Sequence, residues 1–113
     1  MHLMQTTVHS WDNWTILAVE GEFVVRNLGR IRPVLDSLTK EPGRKVALNL
    51  CATTLVDSSA VSTIINFHKS LHRTGGRVVI LQPGANIKEV FSITGVGVAD
   101  LMICPAPVAL LSW

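Results

Sequence analysis

The stretch Val46-Ala47-Leu48-Asn49-Leu50-Cys51-Ala52-Thr53-Thr54-Leu55-Val56-Asp57-Ser58-Ser59-Ala60-Val61 changes its hydrophobic period midway, and that change decides the fold. Over its first five residues Val46, Leu48 and Leu50 alternate onto one face, which reads as a strand entered from the turn signal Pro42-Gly43. Cys51–Val56 is expected to be a short loop. Asp57 then opens a helix, because its carboxylate is short enough to accept from the free amides of a first turn. From Val61 the apolar positions are Ile64, Ile65 and Leu71, while Ser62, Asn66, Lys69 and Arg73 project to the other side. Gly75-Gly76 supplies the left-handed residue that ends a helix, and Val78-Val79-Ile80-Leu81 follows as a continuous apolar strand of the buried kind. Strand, helix and strand in this order imply a right-handed crossover between parallel strands.

Outward from this unit the pattern repeats. Met4–His9 and Thr15–Glu20 are β-compatible runs separated by Ser10-Trp11-Asp12-Asn13, an antiparallel hairpin at the sheet edge. Leu28, Ile31, Leu35 and Leu38 mark a helix that Asn27 is placed to cap, with Pro33 expected to kink it or to restrict its regular part to one side. Beyond Pro83-Gly84, the residues Ile87, Val90 and Phe91 suggest a short helix ended by Gly95. Val98–Ile103 is a mixed segment, and a last helix is expected from Pro105 toward Trp113. The expected fold is a single α/β domain spanning 1–113, with a mixed, mainly parallel sheet of four to five strands and flanking helices.

Composition narrows the function. The chain has 113 residues, 48% hydrophobic and 16% charged, a net charge of +2 and mean hydropathy +0.38. It is too apolar to be disordered, and its scattered basic residues offer no footprint for a phosphate backbone. No run of about twenty apolar residues is present to span a bilayer, and the amino terminus lacks the regions of a signal peptide, so a cytoplasmic location is expected. Cys51 and Cys104 stand far apart without metal-ligand spacing and are expected to be buried free thiols.

Few groups are arranged for catalysis. There is no Gly-x-Ser-x-Gly elbow, no Walker loop and no dinucleotide fingerprint, so neither an enzymatic activity nor a nucleotide or other cofactor is expected. His68 and His72 have the i, i+4 spacing of a metal pair, but no third ligand is indicated, and packing at the core edge is the expected role. Trp11, Trp14 and Trp113 read as core and rim packing. Ser58 stands apart. With Asp57 as cap, Ser58 and Ser59 occupy the first helical positions, where a helix N-terminus tolerates a phosphate.

The segments 46–50, 54–61, 75–80 and 90–96, with Gly21-Glu22 ahead of the first helix, resemble the STAS domain of bacterial anti-sigma factor antagonists. The resemblance covers about residues 5–104. It implies a protein that binds an anti-sigma factor having serine kinase activity, and that loses this binding when the serine after the aspartate is phosphorylated. Carried to this chain, the phosphoacceptor is Ser58, with Ser59 as runner-up, Asp57 and Ala60 support the switch loop, and Glu22, Phe23 and Val61 contact the partner. Two positions depart from the family pattern: Phe23 stands where an acidic residue usually follows Gly-Glu, and Ala60 where glycine usually follows the serines. Phe23 and the apolar tail from Pro105 also suit constitutive docking, as in a STAS subunit on a transporter ATPase or a signalling scaffold. No metal, no direct nucleic acid and no membrane insertion are implied.

Overall fold

The computed structural model describes residues 4–81 and 102–104. In chain order these form β1 (Gln5–Trp11), β2 (Trp14–Phe23), a 3-10 turn (Val25–Asn27), α1 (Leu28–Thr39), β3 (Lys45–Asn49), β4 (Thr53–Val56), α2 (Ser58–His72), β5 (Arg77–Leu81) and β6 (Met102–Cys104). Five strands lie side by side in the order β1-β2-β3-β5-β6, and β4 pairs with the far end of β2. Among the described residues, β1 and β2 pair antiparallel and the other pairings are parallel. The expected mixed, mainly parallel sheet with flanking helices is what the chain adopts.

Alternation along the strands sorts the core. Leu17, Val19, Val46, Leu48, Val78 and Ile80 face one way, and against them pack Leu28, Ile31, Leu35 and Leu38 of α1 and Val61, Ile64, Ile65 and Leu71 of α2. The opposite parity, Ile16, Ala47, Val79 and Leu81, forms a second cluster on the other face, with Trp11 and Trp14 packed at its margin. The two tryptophans thus take the rim role expected of them.

Several local expectations are corrected. The hairpin turn is Asp12-Asn13 alone, with Asp12 at φ +54°, a conformation its short polar side chain tolerates. Asn27 does not cap α1; it is buried, and its Nδ2 donates to the Glu22 carbonyl at 2.7 Å. Pro33 lies within α1 and cannot donate to the Gly29 carbonyl, yet it does not end the helix, which runs on to Thr39. Residues 53–56 are a strand rather than loop, because Thr53, Thr54 and Val56 are β-branched and the free end of β2 offers a ladder. Cys51 is an exposed free thiol, not a buried one, since it follows the end of β3 where the chain leaves the core. The segments expected as helices over 87–95 and 105–113 lie outside the described residues, as do Trp113 and the side chain of Cys104.

The junction of α2 with β5 locks the crossover. Gly76 N–H donates to the Leu71 carbonyl at 2.9 Å and Gly75 N–H to the His72 carbonyl at 3.0 Å, the paired bonds of a Schellman motif, with Gly75 at φ +89°. His68, buried in α2, accepts at Nδ1 from the Val78 N–H at 3.0 Å and so ties the helix to the strand that follows it. At Gly76 the chain passes so close to β3 that a Cβ would collide with the Arg44 carbonyl, the same oxygen that receives the Arg77 N–H at 3.2 Å. Gly76→Ala is therefore expected to lower stability by about 1–3 kcal/mol through forced backbone movement. Gly29→Ala, with open space around Gly29, is expected to leave it unchanged or slightly higher. Urea unfolding checks both, and equal midpoints for the two variants would contradict the close-approach argument.

Candidate functional site

At the amino end of α2 the side chain of Asp57 works in two directions. Its Oδ1 accepts from the Ala60 N–H at 2.9 Å, the expected cap, while its Oδ2 accepts from the Val25 N–H at 2.9 Å. The first bond fixes the helix start. The second joins that start to the 3-10 turn leaving β2, 32 residues earlier in the chain. The backbone carbonyl of Asp57 takes the Val61 N–H at 3.1 Å, so the helix is regular from its first turn.

Ser58 is the first residue of α2 and is exposed, whereas Ser59 is half-buried and its carbonyl is engaged by the Thr63 hydroxyl at 2.9 Å. The amides of Ser58 and Ser59 have no acceptor among the described residues, as the first amides of a helix do not. No acidic residue lies within the first turn of α2. An anionic group on the Ser58 oxygen would thus meet open N–H donors and the positive end of the helix dipole.

The surface around this serine is not composed as the sequence suggests. Phe23 and Val61, expected as contacts for a partner, are 0% and 1% exposed and belong to the core. Phe23 shares the parity of Leu17 and Val19 along β2, which sends its ring to the buried face, and Val61 stands on the α2 stripe with Ile64 and Ile65. Ala60 is also fully buried, and it contributes to the loop through its amide alone. Glu22 is half-buried and forms an ion pair with Arg26 of the 3-10 turn, four residues further on.

The apolar side chains that do reach the surface here are Val25, 62% exposed, and Leu55, 45% exposed. Val25 is held by its bond to Asp57, and Leu55 is set opposite Glu22 by β4. Between Gly21 and Glu22 the β2–β4 register shifts and leaves Thr54 without an opposite residue, a bulge that turns both Thr54 and Leu55 outward. Sequence periodicity gives no sign of Val25 or Leu55, since both owe their exposure to an irregularity. The β-branched run at 53–56 was the available signal for the strand beneath them.

His68 and His72 stack with ring centroids 5.7 Å apart, but only His68 is buried; His72 lies exposed on the last turn of α2. Among the described residues no three metal-ligating side chains come together.

Known structures share this architecture. SpoIIAA, a Bacillus cell fate determinant solved in its phosphorylated form, superimposes with a TM-score of 0.70 at 18% identity, covering 94% of this chain and 96% of its own. An anti-sigma factor antagonist from Mycobacterium paratuberculosis gives a TM-score of 0.82 at 15% identity, over 96% of this chain and 92% of that one. The murine anion transporter Solute Carrier 26 family member A9 matches 98% of this chain with 22% of its length, at a TM-score of 0.75 and 12% identity. At these identities the likeness is one of fold. Sequence decides the family: residues 5–102 match the STAS domain, and the chain belongs to the STAS domain family.

Proposed function

We propose that this protein is an anti-sigma factor antagonist, a binding protein that engages an anti-sigma factor with serine kinase activity through the surface around Ser58 and is released when Ser58 is phosphorylated. The observation that carries the reading is an exposed hydroxyl at the start of α2 beside two exposed apolar side chains, Val25 and Leu55. Apolar area of this kind is what a partner covers. A phosphoserine brings a charge of about −1.5 to −2, which a partner seated on Val25 and Leu55 would have to desolvate. Each 1.4 kcal/mol of that cost is about tenfold in affinity. Within the chain itself the phosphate is tolerated by the helix N-terminus, so modification need not unfold what it regulates.

The fold relatives support this reading in kind. SpoIIAA is known both phosphorylated and unphosphorylated, the latter as an anti-sigma factor antagonist. The transporter match favours one second reading, a STAS domain that docks constitutively on a transport complex. The two readings differ at Ser58, since a constitutive dock has no need of a modifiable residue there.

Incubation with the cognate anti-sigma factor and ATP is expected to add one phosphate, on Ser58 and not on the half-buried Ser59, as read by peptide mass spectrometry. Ser58→Asp is expected to weaken partner binding at least about tenfold and Ser58→Ala to preserve it. Equal affinities for the two variants would eliminate the switch and leave the constitutive dock. The Asp57 clamp is tested separately. Asp57→Asn keeps an oxygen for Ala60 but loses the acceptor for Val25, and Asp57→Ala loses both, so stability is expected to fall in that order, by about 1–3 kcal/mol for alanine. Thermal unfolding checks the order, and an asparagine variant as unstable as the alanine one would mean that the Val25 bond alone matters.

A further inference from the structure

β1 is an edge of the sheet, since among the described residues it pairs with β2 alone. An edge strand carries a row of unpaired N–H and C=O groups, and proteins blunt such edges with lysine, proline, a bulge or a short strand. β1 has none of these. Its seven residues, Gln5-Thr6-Thr7-Val8-His9-Ser10-Trp11, include no proline and no Asp, Glu, Lys or Arg. Its register with β2 runs unbroken from Gln5 opposite Glu20 to Trp11 opposite Trp14. All but Thr6 and Trp11 are exposed. Val8, at the centre, is 48% exposed, and of the exposed large hydrophobics among the described residues it is the one that lies away from the Ser58 surface.

The hairpin fixes which backbone groups are free. A two-residue turn closes on a hydrogen-bonded pair, here Trp11 with Trp14, and along an antiparallel ladder such pairs alternate with pairs that exchange no bonds. Gln5, Thr7 and His9 therefore bond to β2, whereas the N–H and C=O of Thr6, Val8 and Ser10 point away from it. These three positions are symmetric about Val8. A second β1 laid antiparallel on the first, with Val8 opposite Val8 of the copy, sets Thr6 opposite Ser10 and closes about six backbone hydrogen bonds. On the face shared with Leu17, the ladder partner of Val8, valine meets valine and hydroxyl meets hydroxyl. Such cross-strand pairs stabilise a sheet, and no like charges are opposed on either face. We propose that β1 is a self-association edge, through which two copies of this chain pair antiparallel about Val8 into one continuous sheet. The symmetry sets the occupant: the free groups repeat under a two-fold axis through Val8, as an isologous contact requires, and the strand opposes no fixed charge to its own copy. An edge contact with one apolar pair at its centre is smaller than a permanent interface, so the dimer dissociates on dilution. It uses none of Ser58, Val25 and Leu55 and is independent of the reading given to them.

The test is sedimentation velocity of the full chain over a wide range of concentration. A reversible equilibrium of monomer and dimer is expected. Hydrogen exchange at the Thr6, Val8 and Ser10 amides is expected to slow as the dimer forms, while the Thr7 and His9 amides, already bonded to β2, change little. Val8→Lys sets two ammonium groups opposite each other and is expected to weaken the dimer about tenfold or more, as is Val8→Glu with two carboxylates. An equimolar mixture of the two variants is expected to recover it, because only a register centred on Val8 sets that position against itself. Val8 is 48% exposed, so both variants are expected to fold, and recovery in the mixture requires that they do. A chain that stays monomeric at every concentration would overturn the proposal and leave the edge to an extended segment of another protein. A dimer that both variants leave intact, or that their mixture fails to recover, would overturn it as well.

Discussion

The carboxylate of Asp57 is the constraint on which the working end of this molecule depends. One side chain satisfies an amide of α2 and an amide of the 3-10 turn after β2, and so carries forward the contact that the β2–β4 ladder makes as far as Phe23 and Val56. Backbone amides left without partners at such a junction cost free energy, so the clamp is favoured from both sides. Its consequence is positional. Ser58, Val25 and Leu55 come from the start of a helix, the exit of one strand and the middle of another, yet they share a single surface because Asp57 and the β2–β4 ladder fix their supports.

The support at the opposite end is steric rather than polar. Gly76 lets β5 enter beside Arg44 with backbone against backbone, and the parallel pairing of Lys45 with Arg77 begins there. The His68 bond to Val78 then holds α2 against the strand it leads into. A parallel pair cannot be closed by a tight turn, so its register depends on how the crossover helix is seated. In this chain the seat is defined by two glycines and one imidazole, none of which contributes apolar burial of its own.

What the sequence made legible follows from the same physics. Regular elements announce themselves by period, which marks the hairpin, α1, α2, β3 and β5, while the Asp57 cap follows from its short carboxylate. Irregular features carry no such mark. The bulge at Thr54, the bond from Val25 to Asp57 and the exposure of Cys51 depend on contacts between segments that no local pattern encodes. Phe23 is the instructive case. It stands beside the Gly21-Glu22 element and so looks like surface, yet counting back by twos through Val19 and Leu17 assigns it to the core, where its ring is fully buried. Parity was the better guide to that residue than its neighbourhood. His72 shows the converse: its i, i+4 spacing from His68 suggests a place at the core edge, yet it is exposed while Leu71 beside it is fully buried.

Rigidity at both ends of α2 bears on how a charge at Ser58 would act. The helix spans fifteen residues, is capped by Asp57, closed by the Gly75-Gly76 motif and seated by seven buried residues, so no segment of it is poised to rearrange. A phosphate at its first position would meet open amides rather than a clash, and its favourable interaction with the helix end opposes any local unfolding. On the proposed reading, therefore, the response lies in the surface itself: a dianion set among Val25 and Leu55 changes what can be desolvated there while the backbone beneath it stays as it was. The Asp57 carboxylate beside it raises the local negative charge further, and because its two acceptors are already committed to amides, it has no freedom to turn away. The clamp that assembles the surface is thus also what would make a phosphate there so costly for a partner to cover.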